Sequence, residues 1–123
     1  MRSRGQATVE LALALPVLLV VVLAAVQVGL LARDQLVVVQ ASRAGAREAA
    51  VTPDDGSVRA SVAAAAVGLA SDALTVGIAR DAPPGPVVVT LTYAAPIRVP
   101  FVGWLFPRTV ELSARAVARQ EFA

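Results

Sequence analysis

Cysteine, histidine and lysine are all missing from this 123-residue chain, and aromatic residues make up only 4% of it. Without cysteine there is no disulfide, no iron–sulfur cluster and no thiol nucleophile. Without histidine there is no imidazole base and no ordinary zinc or haem site, and without lysine there is no Schiff-base chemistry. Charge is scarce as well, at 16% against the roughly one quarter usual in a soluble domain. All 11 basic residues are arginine and exceed the 9 acidic ones by only two, so the isoelectric point near 10.4 reports missing lysine and histidine, not a surface for nucleic acid.

What remains for catalysis is carboxylates, hydroxyls and arginines. Asp54, Asp55, Asp72 and Asp81 fall in turn-like or helix-end positions, where capping and solvated acids are expected. The adjacent Asp54 and Asp55 would hold a divalent cation only weakly without further oxygen ligands. No phosphate-binding loop, dinucleotide fingerprint or nucleophile elbow is present. The expectation is a protein that is not an enzyme, with no cofactor, no metal, no small-molecule substrate and no nucleic-acid partner.

Hydrophobic residues, in contrast, reach 57% in a chain long enough for one small domain. The excess sits in Leu11–Ala32, which holds 22 residues without a charge and Gln27 as the only strongly polar side chain. A helix of that length is about 33 Å long and crosses a hydrocarbon core of about 30 Å, so it reads as a transmembrane span over 11–32. It is too long for the apolar region of a signal peptide, although Leu23-Ala24-Ala25 supplies the small residues of a cleavage site. Arginines flank both ends (Arg2 and Arg4; Arg33, Arg43 and Arg47), so charge counting leaves the orientation open. Ala25, Gly29 and Ala32 form a small-residue stripe, read either as ordinary alanine abundance or as a helix-packing face.

Glu10 is a carboxylate at the mouth of this run. At headgroup level it is favoured by the positive end of the helix dipole, whereas deeper in lipid it needs a partner. Its setting is more specific: a basic leader, Gly5, four further residues, Glu10, then an apolar helix with an early Pro16. The stretch Arg4-Gly5-Gln6-Ala7-Thr8-Val9-Glu10-Leu11-Ala12-Leu13-Ala14-Leu15-Pro16 resembles the TadE-like family of tight-adherence (Tad/Flp) pilus pseudopilins, with a class III, type IV prepilin-like signal. Leu11 stands where major Flp pilins usually carry an aromatic residue.

The resemblance implies a leader over 1–5, removed by a membrane prepilin peptidase between Gly5 and Gln6, and Glu10 as the glutamate of processing and assembly. In that reading Glu10 meets the new N-terminal amine of a neighbouring subunit, giving the ion its partner. The implied partners are the membrane, the peptidase, other pilin or pseudopilin subunits and the Tad assembly machinery. The implied location is the cytoplasmic membrane, single-pass, with the N-terminus cytoplasmic and the C-terminal domain outside, the protein either entering an extracellular pilus or staying in the membrane as a priming subunit. A second reading drops the processing and keeps an uncut single-pass protein whose small outer domain binds a partner in the envelope.

The helix is expected to continue past the bilayer, from about Ala7 to Ala50 within a helical segment 6–51, since no proline intervenes before Pro53. Val37, Ala41 and Ala44 share one face there, and Gln40, Arg43 and Arg47 another. Residues 52–123 are expected to form a small domain, which the resemblance places outside the cytoplasm. Thr52–Ser57 is a turn, and a second helix is expected over about Val58–Asp72, capped by Asp55 or Ser57. The period then changes to two: Leu74, Val76 and Ile78; Val87, Val89, Leu91 and Tyr93; Val110, Leu112, Ala114 and Ala116. These alternations predict three antiparallel strands with one apolar face and, with the helices, an α+β fold whose order of elements resembles pilin architecture, an order many α+β domains share.

Between the last two strands runs an apolar segment with Phe101, Trp104, Leu105 and Phe106, interrupted by prolines and flanked by Arg98 and Arg108. Such a loop either folds back to close the core or touches a partner subunit or the membrane interface. These four residues form a candidate contact loop.

Overall fold

The computed structural model describes residues 2–122. Met1, the first residue of the expected leader, and Ala123, the last of the expected outer domain, lie outside the described residues. One helix, α1 (Arg2–Val51), runs unbroken through Pro16 for 50 residues, about 75 Å. It begins five residues before the expected Ala7 because nothing in Arg2–Gln6 breaks a helix. Every residue from Ser3 to Leu19 is exposed, and no residue of the most apolar stretch is buried inside the protein. That stretch is a candidate membrane span, consistent with membrane anchoring.

The far half of α1 is the backbone of the core. Its buried face is Gln27, Asp34, Val38, Ala41 and Ser42, Gly45 and Ala46, Ala49 and Ala50, recurring at helical spacing. The expected face is therefore rotated: Ala41 is central, while Val37 and Ala44 are half-buried at its margin. Small residues on this face let α1 approach its neighbours closely. A Cβ on Gly45 would stand 2.6 Å from Val62 Cγ2 and 3.1 Å from Val89 Cγ1.

Helix α2 (Asp55–Ala65) lies against α1 through Val58 and Val62. It starts three residues earlier than expected, and the cap is Asp54, not Asp55 or Ser57. Asp54 Oδ1 accepts from Gly56 N at 3.0 Å and its Oδ2 from Ser57 Oγ at 2.8 Å. The Ser57 hydroxyl first, and then the Gly56 N–H, hold the Asp54 carboxyl below its ordinary range. The helix also stops well before Asp72. Ala66 closes the last turn onto Val62 O, and Gly68 takes a left-handed φ of 81°, which ends the helix and leads to a 3-10 turn at Ser71–Ala73.

Strands β1 (Leu74–Arg80), β2 (Pro86–Pro96) and β3 (Thr109–Arg119) form an antiparallel sheet in the order β1-β2-β3. The fold is thus α+β: a long N-terminal apolar helix, a second helix and an open three-stranded sheet. The register stacks Leu74, Tyr93 and Leu112; Val76, Leu91 and Ala114; and Ile78, Val89 and Ala116 on one face, which covers α1 and α2. Strand β2 runs three residues past Tyr93, because Ala94, Ala95 and Pro96 find partners in Glu111, Val110 and Thr109.

At the end of the domain farthest from the apolar run, Arg80 ties the elements together. Its guanidinium donates to Ala49 O at 2.9 Å, Thr52 O at 3.0 Å, Asp55 Oδ1 at 3.0 Å and Gln120 Oε1 at 3.3 Å. Two of these acceptors are at the C-terminal end of α1, where the carbonyls lack helical partners. Gln120, itself buried, donates to Asp81 O and Gly85 O and so joins the β1–β2 turn to the end of β3.

Candidate functional site

The residues singled out in the sequence fall into two groups along α1. Gly5, Gln6 and Glu10 lie in its first three turns, all exposed. A Cβ on Gly5 would meet nothing within 4 Å, so no other part of the fold packs against the helix at this point. Among the described residues of this segment, the one side-chain hydrogen bond is Thr8 Oγ1 donating to Arg4 O at 2.9 Å, a local contact within the helix. Among the described residues no basic group lies within salt-bridge distance of Glu10.

The second group is the segment between β2 and β3, which does two things at once. Val99 and Val102 are buried and Ile97 and Phe106 half-buried, while Phe101, Trp104 and Leu105 are 77%, 75% and 45% exposed. The buried half is held to α1 by polar contacts. Gln27 Oε1 accepts from the backbone N–H of Arg98 at 2.9 Å and of Val99 at 3.0 Å. The Arg98 guanidinium also pairs with Asp34 Oδ2, and Asp34 is buried beneath it. Gln27 and Asp34 are seven residues, two turns, apart, so both point at the same loop.

The exposed half points along α1 toward its N-terminus. Trp104 lines an apolar groove with Pro16, Val17, Val20 and Val21 of the uncharged run. Its indole N–H donates to Phe101 O at 2.8 Å, and Leu105 N donates to Val102 O at 2.9 Å. Phe101 takes a positive φ of 67°, the sharp bend that turns its ring outward.

Sequence reasoning marks Gln27 as an isolated polar residue but not its role, and does not single out Asp34. The signal is their two-turn spacing in an otherwise apolar or small-sided face. No spacing rule could name Arg98 as their partner, 64 residues beyond Asp34. Asp54 and Asp55 are engaged as cap and as ion-pair partner of Arg80. Among the described residues no group of three or more His, Cys, Asp or Glu is placed to hold a metal ion.

The family model for TadE-like protein matches residues 5–47, about a third of the chain. That stretch begins at Gly5, contains Gln6, Glu10, Gln27 and Asp34, and ends within the part of α1 that packs on the domain. No curated protein and no solved structure matches the chain. Residues 5–47 are thus TadE-like, which is consistent with a TadE-like protein of the Tad pilus.

Proposed function

We propose that the protein is a minor pilin, or pseudopilin, of a Tad (Flp, type IVc-like) pilus, anchored by α1 and acting in pilus initiation, assembly and adhesion. The observation that carries this reading is the TadE-like match, which spans Gly5, Gln6 and Glu10 at the exposed start of α1. In this reading a prepilin peptidase cuts between Gly5 and Gln6, residues 1–5 leave as the leader, and Glu10 becomes the fifth residue of the mature chain. Among the described residues no basic side chain lies within salt-bridge distance of the Glu10 carboxylate, which in this reading lies near lipid. A neighbouring subunit's new N-terminal amine supplies the opposite charge such a group needs. The same helix serves as membrane anchor before assembly and as packing element after it, with the domain beyond residue 51 outside the cytoplasm.

The test is the N-terminus and intact mass of the protein from membranes, with and without its prepilin peptidase. A product beginning at Gln6 only when the peptidase is present is the expected result, and Glu10→Ala is then expected to abolish pilus formation. An N-terminus at Met1 or Arg2 in both cases would favour an uncut single-pass protein with a partner-binding outer domain. One near Ala25 or Val26 would mean a removed signal peptide.

A further inference from the structure

We propose that the tip of the segment between β2 and β3, Phe101, Trp104 and Leu105, inserts into the lipid leaflet that adjoins the C-terminal domain, beside the chain's own helix. This rests on reading α1 as membrane-spanning, which the experiment below tests separately. Three observations support it.

The first is continuity. Trp104 shares a groove with Pro16, Val17, Val20 and Val21, so the exposed aromatic surface joins directly onto the bare apolar surface of α1. Lipid that covers Leu15, Val17 and Leu18 reaches the tip without crossing a polar boundary.

The second is depth. Pro16 and Val21 lie about 16 Å and 9 Å along the helix from Gln27, at about 1.5 Å per residue. The tip therefore reaches well below the charged level marked by Arg33, Asp34 and Arg98.

The third is polar satisfaction. An irregular loop does not lie bare in the centre of a bilayer, but apolar side chains buried about 5–10 Å into the headgroup–acyl boundary are well tolerated there. The indole N–H is satisfied within the loop, Gln27 takes two backbone donors, and Pro96, Pro100 and Pro107 have none to satisfy. Arg108 flanks the tip, at the level where a guanidinium group meets lipid phosphates, while Arg98 is paired with Asp34.

A consequence concerns the span itself. With the tip at that depth, the border of the hydrocarbon crosses α1 a few residues below Gln27 instead of at Ala32. A span over about Gln6–Ala25, 20 residues and about 30 Å, then fits the bilayer; the buried Gln27 lies outside it, and Glu10 lies about one turn inside its other border, where it needs an opposite charge.

Trp104 is the chain's only tryptophan, so the full-length protein carries its own probe. Tryptophan emission would be read in phosphatidylcholine vesicles whose acyl chains carry bromine either near the carbonyl end or near mid-chain, and against aqueous iodide. A double variant, Trp104→Phe with Leu18→Trp, moves the probe onto the helix and reports on the span alone. We expect blue-shifted Trp104 emission, most of it lost to bromine near the carbonyl end, less to mid-chain bromine and little to iodide. Quenching of Trp104 by iodide and not by bromine, while the helix probe of the double variant is quenched by bromine, would overturn the insertion and leave the span standing. If neither tryptophan senses bromine, the span fails and the insertion falls with it. Trp104 shielded from both quenchers, the more so at high protein-to-lipid ratio, would mean that a second copy covers the tip, which also overturns the proposal.

Discussion

Replacing Gln27 by leucine keeps the bulk of a side chain that is fully buried but removes the acceptor of two backbone hydrogen bonds, from Arg98 N and Val99 N. A buried donor left without a partner costs about 1–3 kcal/mol, so the two together set a gross loss of about 2–6 kcal/mol. Part of this is returned, because Gln27 Nε2 is itself buried without a hydrogen-bond partner and leaves with the substitution. Crediting that atom with about 1–3 kcal/mol gives a net destabilisation of roughly 1–3 kcal/mol. The loss should be local, since the other anchor of the segment, Arg98 with Asp34, stays in place. Amide hydrogen exchange on the full-length protein in detergent micelles reads it directly. Protection at Arg98 and Val99 should fall by about 10- to 100-fold, at 1.4 kcal/mol per decade, while β2 residues such as Val89 and Leu91 change little. Unchanged protection at Val99 would refute the assignment of Gln27 as the clamp. An equal fall across β2 would show that the segment opens only with the whole domain.

Three further outcomes follow from the packing and the charges. Gly45→Ala puts a methyl group against the stiff, β-branched Val62 and Val89 and should destabilise the protein by about 1–3 kcal/mol in a denaturant melt. Combining Gly45→Ala with Val62→Ala should then cost less than the sum of the two single changes, and strict additivity would place the strain elsewhere. Arg80→Ala strips hydrogen bonds from Ala49 O and Thr52 O at the end of α1 and should cost about 2–4 kcal/mol by thermal melt, with Arg80→Lys recovering only part, because one ammonium cannot span the fork. The Asp54 carboxyl is held below its ordinary value of 3.8, so its contribution is present above that value and is lost as pH falls through the lower, folded one. Wild type should therefore lose more stability than Asp54→Asn on acidification below about pH 4, and parallel pH profiles would count against the cap.

Where structure follows from local repetition, the sequence was a sufficient guide. The period-two runs in β1, β2 and β3 could be satisfied only by a sheet with one covered face, and the 22-residue uncharged run only by a long helix. Where structure follows from meetings between distant residues, it was not. Ala63–Ala66 continues a helical composition, and only the backbone turn at Gly68 shows that α2 has already ended. Ala94-Ala95-Pro96 carries no strand signal, yet the partner strand extends it. Arg80 looks like a solvated charge at the end of a strand until the end of α1 arrives beside it. The loop between β2 and β3 was legible as anomalous because it is apolar. That its inner half grips Gln27 and Asp34 depends on contacts made across 64–72 residues. The candidate processing residues are a different case. Gly5, Gln6 and Glu10 were legible only by resemblance, and their geometry adds that all three stand free on the helix.

A single helix runs from Arg2 through the domain core to Val51, so the apolar run and the domain share one axis, whose hydrogen bonding is interrupted only at Pro16. Rotation of one is rotation of the other, so the azimuth of Glu10 is fixed relative to the sheet as teeth are fixed on a shaft. At about 100° per residue, the roughly 17 residues from Glu10 to Gln27 bring the two side chains to rest roughly 100° apart around the axis. Glu10 therefore faces about a quarter turn away from the side occupied by the loop. A neighbour could engage the carboxylate from that quarter without displacing the loop. Any torque or pull applied to the domain would reach Glu10 along one continuous helix, with Pro16 the point at which that helix bends most easily.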